Sequence, residues 1–395
     1  MYDVTVSEVE DGALRAAIEH LSCLDRASCS PGEREAAGWI ADALNARGVD
    51  ASVELERVHG TYWWPLGLCS AAGIVAALLG RRGHRLTGAV VGALGALTAA
   101  DELILGPRWL RRRLPQRTTA NVIGARGDPG AARTVILVAH HDAAHSGFFF
   151  DPRFAALVGN RHSSGRRSDP PALMVPMAAA PALAGVFALL GWRKLGTLAA
   201  LVCGGIIATF VDMAHRQTVP GANDNLTGVA TLLGVADRLS DAPLDGTRVI
   251  FVSTGAEEAL MEGMVAFAER HAADLHKATA VLCVDTVGSP ELVLPEAEGM
   301  LVTQRYDESL KELISATARD LGIELRRGMT VRVGTDGLVA LRRGIPAAML
   351  MSVGPLGTAT NYHWPTDTPD RVDYPRLHDA VELCEEVIRR LGATR

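Results

Sequence analysis

The sequence is poor in aromatic residues and has no excess of positive charge. Of its 395 residues, 5% are Phe, Trp or Tyr, and 39 Lys and Arg stand against 45 Asp and Glu, which gives a formal net charge of −6. No basic cluster is interleaved with aromatic side chains, so the composition argues against nucleic acid as a partner. The six cysteines form no Cys-x-x-Cys pair, which argues against a disulfide framework or a thiolate zinc site and favours a reducing compartment.

The amino terminus lacks a basic start followed by an apolar stretch, so we expect no cleaved secretory signal. Hydrophobic residues nevertheless make up 48% of the chain, and the mean hydropathy of +0.15 is high for a soluble enzyme. At about 150 residues per domain, the length predicts two or three domains, or one large domain with insertions. Because the mean hydropathy is higher than that of a typical soluble enzyme, we expect the excess apolar residues to lie in particular segments of the chain.

Four apolar segments without a formal charge account for this excess. They span residues 58–80, 86–100, 170–192 and 195–211. The longer member of each pair could cross a hydrocarbon layer of about 30 Å as a helix, and local thinning of the bilayer would accommodate the shorter one. The pairs predict two transmembrane hairpins, with spans at about 62–80 and 86–105 and at about 171–192 and 195–212. Trp63 and Trp64 lie where an interfacial aromatic belt would.

Buried helices of a soluble insertion are the alternative, because these segments are rich in Ala and Gly. Gly88 and Gly92, by contrast, fit the small-residue face that helices in a bilayer use for close packing.

Arginine is more frequent beside the outer ends of the hairpins than in their links, so a plasma-membrane protein would keep the rest of the chain in the cytoplasm. The arginines near the outer ends are Arg57, Arg108, Arg111, Arg112, Arg113, Arg117, Arg161, Arg166, Arg167 and Arg216, and the links contain Arg81, Arg82, Arg85, Arg193 and Lys194.

Outside the hairpins, strand and helix signals alternate, which predicts an α/β three-layer sandwich with a mostly parallel central sheet. Short apolar or β-branched runs predict strands at 122–124, 134–139, 247–254, 278–284 and 347–353. The 3.6-residue apolar period predicts helices at 225–239, 261–275, 308–321 and 374–391. A capping box from Ser30 to Glu33 predicts a further helix that ends near Gly48.

Acids and histidines follow several of these strands. His140 and Asp142 end one strand, the pair Glu257 and Glu258 follows another, and Asp285 follows a third. The carboxyl edge of an open α/β sheet is where ligands bind. Each feature also has an ordinary alternative, since a histidine or an acid pair can lie in a solvated loop. Asp224, at the entrance to a predicted helix, could simply cap it. His363 lies in a polar loop.

Taken together, these residues form a set of ligands for two metal ions. The candidate ligands are His140, Asp224, Glu258, Asp285 and His363, and Glu257 is a spare carboxylate beside them. Imidazole and carboxylate suit Zn²⁺, and one shared carboxylate would hold two ions about 3.5–4 Å apart. Co²⁺ or Mn²⁺ could occupy the same ligands.

The motifs resemble those of the co-catalytic di-zinc aminopeptidases, which include bacterial leucyl aminopeptidases, aminopeptidase Y and, more distantly, glutamate carboxypeptidase II. The family's His-x-Asp matches residues 140–142, its Gly-Ala-x-Asp-Asn-x-Ser-Gly matches 221–228 with Thr227 for Ser, and its Glu-Glu pair matches 257–258. Its strand-ending Asp matches Asp285, and its Tyr-His-x-x-x-Asp-Thr matches residues 362–368. The resemblance covers about residues 31–57, 119–147 and 217–392. At Thr335-Asp336-Gly337 the chain departs from the Ser-Asp-His or Ser-Asp-Tyr of many relatives.

The resemblance implies a role for each residue. One zinc ion would bind His140 and Asp285, a second would bind Glu258 and His363, and Asp224 would bridge them. Asp142 would hydrogen-bond the ring of His140 and fix its tautomer. Glu257 would be the general base that takes a proton from the attacking water and returns it to the leaving amine.

The implied protein is a membrane-anchored metallopeptidase, above all an aminopeptidase, with a peptide substrate and a lipid bilayer as partners. Its peptidase domain would comprise residues 1–61, 115–147 and 217–395, interrupted by inserted segments at 62–114 and 148–216. A glutaminyl-cyclase-like transferase with a single zinc ion is one alternative. A non-catalytic receptor or scaffold of the same fold is another, although such a relative should have lost metal ligands. The sequence carries no indication of the oligomeric state.

Overall fold

A mostly parallel sheet forms the centre of the molecule, in a computed structural model that describes residues 3–153, 172–242 and 244–393. The strands are β1 (Asp50–Val58), β2 (Arg117–Arg126), β3 (Arg133–His140), β4 (Thr247–Thr254), β5 (Ala278–Val284), β6 (Glu291–Val293), β7 (Ala297–Glu298), β8 (Gln304–Arg305), β9 (Leu325–Arg326), β10 (Thr330–Val331) and β11 (Ala347–Val353). Eight of them form one sheet in the order β1-β2-β4-β3-β5-β11-β6-β9. Strands β4, β3, β5 and β11 run parallel, so their carboxyl ends meet at one edge.

Helices cover both faces of this sheet. They are α1 (Asp3–Ser22), α2 (Pro31–Ala46), α3 (Trp63–Arg81), α4 (Arg85–Leu103), α5 (Val175–Leu190), α6 (Arg193–His215), α7 (Thr227–Asp241), α8 (Glu262–Arg270), α9 (Ala272–Lys277), α10 (Glu308–Leu321), α11 (Asp336–Arg342) and α12 (Tyr374–Ala393). Val135 and Leu137 of β3 face a core shared with α1, α2, α7, α10 and α12. Ile136 and Val138 face the opposite core, with α8 and α11. Side chains alternate along a strand, so two buried faces make the three-layer sandwich and confirm the predicted fold class.

Several elements have the bounds predicted from the sequence. Strands β4, β5 and β11 and helix α10 begin and end at the predicted residues, and the side chain of Ser30 accepts a hydrogen bond from Glu33 N at 3.0 Å and caps α2. Other elements differ: β2 is longer than the predicted strand 122–124, and α1 and the short strands β6 to β10 were not predicted. The predicted helix 261–275 is divided between α8 and α9 at His271, whose φ of −103° and ψ of 34° are not helical. Strand β1 was not predicted either, because five of its nine residues are exposed at the sheet edge and four are charged.

Helices α3 to α6 pack into a bundle that has small residues between the helices and large apolar side chains on its outer surface. A Cβ at Gly92 would lie 2.6 Å from the Cα of Gly185, so α4 and α5 touch through their backbones. By contrast, Leu86, Leu97 and Leu201 are 67–71% exposed. This arrangement is typical of helices packed in lipid rather than in water. Helices α3, α4 and α6 are long and apolar enough to cross a membrane.

Helix α5 is shorter than its predicted span of about 171–192. It runs from Val175 to Leu190, and residue 171 lies outside the described residues. The turn at Gly191, with a φ of +71°, ends this helix two residues before α6 begins. The other three helices lie within a few residues of their predicted spans.

The arginines beside the outer ends of the hairpins differ in how exposed they are. Arg108 and Arg111 are 5% and 2% exposed, so they are buried in the protein rather than placed at a lipid surface. Arg161, Arg166 and Arg167 lie outside the described residues. The charge asymmetry that predicted the orientation is therefore weaker in the structure than in the sequence.

One core joins the bundle to the sheet. Leu66 of α3, Leu103 of α4 and Met213 of α6 belong to the same buried cluster as Val138 of β3 and Met264 of α8. The ends of the bundle helices thus take the place of surface helices on this face of the sheet. A displacement of the bundle would disturb the packing under the carboxyl edge of the sheet.

Candidate metal centre

Parallel strands bring the candidate ligands to one edge of the sheet. His140 is the last residue of β3 and pairs with Thr254, the last residue of β4. The loop after β4 carries Glu257 and Glu258, and Asp285 follows β5 directly. Because β3 lies between β4 and β5 and all three strands run parallel, these side chains converge.

Asp224 lies in an irregular turn ahead of α7. Asp367 holds the backbone of this turn, since its carboxylate oxygens accept hydrogen bonds from Asn223 N at 2.8 Å and Asp224 N at 3.0 Å. Asn225 holds the other side, because its side chain donates to the carbonyl of Val284 at 2.9 Å. The two residues of the Asp-Asn motif thus have different contacts. Asp224 faces the candidate ligands, and Asn225 joins the turn to the end of β5.

The two histidines lie on opposite sides of Asp224. His140 Nε2 is 3.3 Å from Asp224 Oδ1 and 3.9 Å from Asp285 Oδ2. His363 Nε2 is 3.1 Å from Asp224 Oδ2 and 3.3 Å from Glu258 Oε1. Two groups of three donors result, and Asp224 belongs to both. A third group of His140, Glu257 and Glu258 is similarly close, which puts Glu257 at the centre's margin.

The donors fit cations of the zinc type. Asp224 Oδ2 and Glu258 Oε1 are buried and accept no hydrogen bond of suitable geometry among the described residues, although His363 Nε2 lies 3.1 Å and 3.3 Å from them. A buried carboxylate oxygen that accepts no hydrogen bond makes an unfavourable contribution to the free energy of folding, and a bound cation would remove it. His140 and Asp224 are 2% and 3% exposed, so solvent cannot take that place easily. Imidazole nitrogens with carboxylate oxygens are a donor set that suits Zn²⁺.

Buried negative charge exceeds positive charge at the site. Burial raises the pKa of Glu257 well above its ordinary value and raises that of Asp285 to about 7. Burial would lower the pKa of His363, but the carboxylates of Glu258 and Asp224 outweigh it and raise this pKa to about 10. Without cations, protons must therefore balance the charge, and metal binding would release them.

Asp142 supports the site through its carboxylate and its backbone. Its Oδ1 accepts from Glu257 N at 3.0 Å, and its Oδ2 accepts from Glu258 N at 3.1 Å and from Ser28 Oγ at 2.7 Å. For the ring of His140, the nearer acceptor is the backbone carbonyl of Asp142, at 3.1 Å from Nδ1, whereas the carboxylate is 3.5 Å away. Asp142 therefore lies beside the ring of His140, but its carboxylate mainly holds the backbone of Glu257 and Glu258.

Three nearby residues were not identified from the sequence. Asp336 is buried at the start of α11, accepts a hydrogen bond from Thr254 Oγ1, and adds its charge near Glu257. The ring of Phe150 packs edge-on against that of His363, with 4.5 Å between centroids. Arg111 donates to the carbonyl of Ala259, just after the Glu-Glu pair. Phe150 and Arg111 fall inside the segments assigned to the insertions, so only the Phe148-Phe149-Phe150 run could have drawn attention to one of them.

Comparison with known proteins agrees with this geometry. Residues 209–388, just under half of the chain, match the model of peptidase family M28. No curated protein matches the chain.

Three solved structures show the fold. A Zn-dependent exopeptidase from Parabacteroides distasonis ATCC 8503 has a TM-score of 0.57 at 15% identity, covering 96% of this chain and 97% of that chain. An aminopeptidase from Aneurinibacillus sp. strain AM-1 has a TM-score of 0.56 at 16% identity, covering 96% and 93%. A glutaminyl cyclase from Tannerella forsythia has a TM-score of 0.58 at 16% identity, covering 96% and 98%. Together, the match of residues 209–388 to this family, the shared fold and the converging acids and histidines support a zinc-dependent peptidase.

Proposed function

We propose that the protein is a membrane-anchored aminopeptidase with two zinc ions. The observation that carries the two-ion centre is the pair of donor groups, His140 with Asp285 and His363 with Glu258, joined through Asp224. His140 and Asp285 would hold one ion, His363 and Glu258 would hold the other, and Asp224 is within reach of both groups. Asp142 would hold the loop and the ring of His140 rather than bind metal.

Bound zinc would polarise the scissile carbonyl and acidify water. The chain's own contribution is proton transfer by Glu257, whose Oε2 lies 3.9 Å from His140 Nε2. Glu257 would take a proton from the attacking water and deliver it to the leaving amine. Its low exposure, 8%, would exclude bulk water from this transfer. The solved structures of this fold include an aminopeptidase and an exopeptidase, which favours removal of the first residue of a peptide.

The anchor would be the four-helix bundle, with the peptidase domain formed by residues 1–61, 115–147 and 217–395. Large apolar side chains on the outside of the bundle support a bilayer as its surroundings. The full chain should sediment with membranes, resist extraction by salt and alkali, and require detergent for release. Recovery in the soluble fraction without detergent would contradict the anchor. The arginine distribution favours a cytoplasmic peptidase domain, which labelling from either side of intact cells would test.

A glutaminyl cyclase is the second candidate, because proteins of that name share the fold. The two groups of metal donors favour the peptidase, because the glutaminyl-cyclase-like alternative would need donors for one zinc ion only. Peptides that begin with Gln separate the two: a peptidase releases free glutamine, and a cyclase releases ammonia and leaves a blocked peptide.

Glu257→Gln tests the proposed function. We expect metal analysis of the detergent-solubilised chain to give about two ions in both forms, and turnover of aminoacyl amides to fall by about 100-fold or more in the variant. Glu35→Gln, an exposed acid on α2, is the matched control and should leave turnover unchanged. Full turnover in Glu257→Gln would exclude the general-base role. One ion per chain would favour the cyclase.

A further inference from the structure

A buried ion-pair cluster joins the helical bundle to the loop that carries Glu257 and Glu258. Arg111, in the segment between α4 and β2, donates from Nε to Glu102 Oε2 at 2.7 Å and lies 2.9 Å from Glu262 Oε2 through Nη1. Glu102 lies in the last turn of α4, and Glu262 is the first residue of α8. Arg111 and Glu102 are 2% and 0% exposed. The cluster lies outside the candidate metal centre.

The loop of residues 255–261, here called the Glu-Glu loop, has an unfavourable backbone. Ala256, Leu260 and Met261 have φ values of 49°, 67° and 54°, in the left-handed region that side chains other than glycine rarely adopt. Such a conformation persists only where the surroundings hold it. The position of Glu257 and Glu258 therefore depends on what contacts this loop.

The loop is held from two sides. On the sheet side, Asp142 accepts hydrogen bonds from the backbone N–H groups of Glu257 and Glu258. On the bundle side, Arg111 Nη1 donates to the carbonyl of Ala259 at 2.5 Å, and Arg108 Nη2 donates to the carbonyl of Leu260 at 2.7 Å. Both arginines belong to the inserted segment rather than to the part of the chain that resembles the aminopeptidases.

A purely stabilising role explains this cluster poorly. Taking two charges out of water is so unfavourable that well-packed apolar residues usually stabilise a protein equally well. What apolar residues cannot do is donate to a loop carbonyl. The planar guanidinium of Arg111 reaches two carboxylates and one carbonyl at once, in fixed directions.

We propose that Arg111, held by Glu102 of α4, is a positioning residue for Glu257 and Glu258, so that the packing of the helical bundle sets the geometry of the metal centre. The activity and zinc measurements below rest on the proposed function; loop exchange does not.

The test compares Arg111→Lys and Glu102→Gln in the full chain in detergent. Lysine keeps the charge, but its single nitrogen cannot span both carboxylates and the carbonyl. Glu102→Gln keeps the shape and is the second variant should Arg111→Lys fail to fold. Arg112→Lys is the matched control, because Arg112 pairs with Glu269 at the surface, where their side chains are 62% and 54% exposed.

Three measurements are made. Hydrogen exchange is followed at the amides of Glu257, Glu258, Met261 and Glu262, with strand β11 as the internal reference. Zinc loss to a colorimetric chelator reports how well the site retains metal. Turnover and KM are measured on an aminoacyl amide.

We expect exchange at the loop amides and zinc loss to be about 10-fold faster or more in both variants, with β11 unchanged. We expect kcat to fall by about 10-fold while KM changes by less than about threefold. Folded variants with parental exchange and zinc loss would overturn the proposal, and so would equal acceleration at the loop and at β11, which would indicate general destabilisation. If the parent hydrolyses no peptide or binds no zinc, the proposed function fails, and loop exchange relative to β11 still decides this inference.

Discussion

Replacing Asp142 with Asn should weaken the metal centre without removing a proposed ligand. The Asp142 carboxylate accepts one backbone N–H on each oxygen, from Glu257 and from Glu258. Asparagine has one oxygen and one NH₂ group, so one of these N–H groups must face another donor. A hydrogen bond to a charged group contributes about 1.5–3 kcal/mol, and every 1.4 kcal/mol is tenfold in a binding constant. Loss of one such bond therefore predicts roughly 10- to 150-fold weaker zinc binding in Asp142→Asn.

Competition with a chelator of known zinc affinity measures this effect at constant pH. Asp128→Asn is the matched control, because Asp128 lies in an exposed turn and accepts one backbone N–H, from Gly130 at 2.8 Å. The control should bind zinc as the parent does. Parental zinc affinity in Asp142→Asn would refute the reasoning, since it would mean that the backbone carbonyl beside the ring of His140 suffices and that the carboxylate contributes nothing.

Two further predictions concern stability. Gly92→Ala should lower the free energy of unfolding by about 1–3 kcal/mol, because the new Cβ would lie 2.6 Å from the backbone of Gly185. Gly204→Ala is the control, because no described atom lies within 4 Å of its Cβ position. The control should not lower the melting temperature of the detergent-solubilised chain. Equal melting temperatures would contradict the close packing of α4 and α5. Burial raises the pKa of Glu298 from 4.5 to about 8, so the folded chain keeps a proton that the unfolded chain releases, and stability falls as pH rises between these values. Glu298→Gln should flatten that fall in melting temperature, and an unchanged slope would mean that Glu298 is ionised in the fold.

The central strands and the candidate ligands could be predicted because their signals are local. A strand buried on both faces is a continuous apolar run, so 247–254 and 278–284 were found with their bounds. Acids and histidines just after such strands must meet, because parallel strands end at one edge. His140 and His363 accordingly lie 3.3 Å and 3.1 Å from the carboxylate of Asp224.

What the sequence could not predict depends on contacts between distant segments. Glu102 and Arg111 look like ordinary charged residues at the end of an apolar helix, and only the fold brings Glu262 to the same arginine. Asp336 stands in a motif that departs from its relatives, so its burial beside the site could not be inferred. The acceptor for the ring of His140 is a further example, since neither composition nor spacing distinguishes the backbone carbonyl of Asp142 from its carboxylate.

The register of the strands explains how two large insertions leave the sheet intact. Strands β1 and β2 pair antiparallel from Asp50 with Ala125 to Val58 with Arg117, so the first insertion occupies the turn of a β-hairpin. The second leaves and returns where His145 pairs with Thr218. The first point contacts the residue after the Glu-Glu loop, because the backbone of residues 59 and 60 donates to Glu262, and the second point follows Asp142 by three residues. Insertions at these two turns place the segment that follows α4 against the Glu-Glu loop, where Arg108 and Arg111 donate to the carbonyls of Leu260 and Ala259.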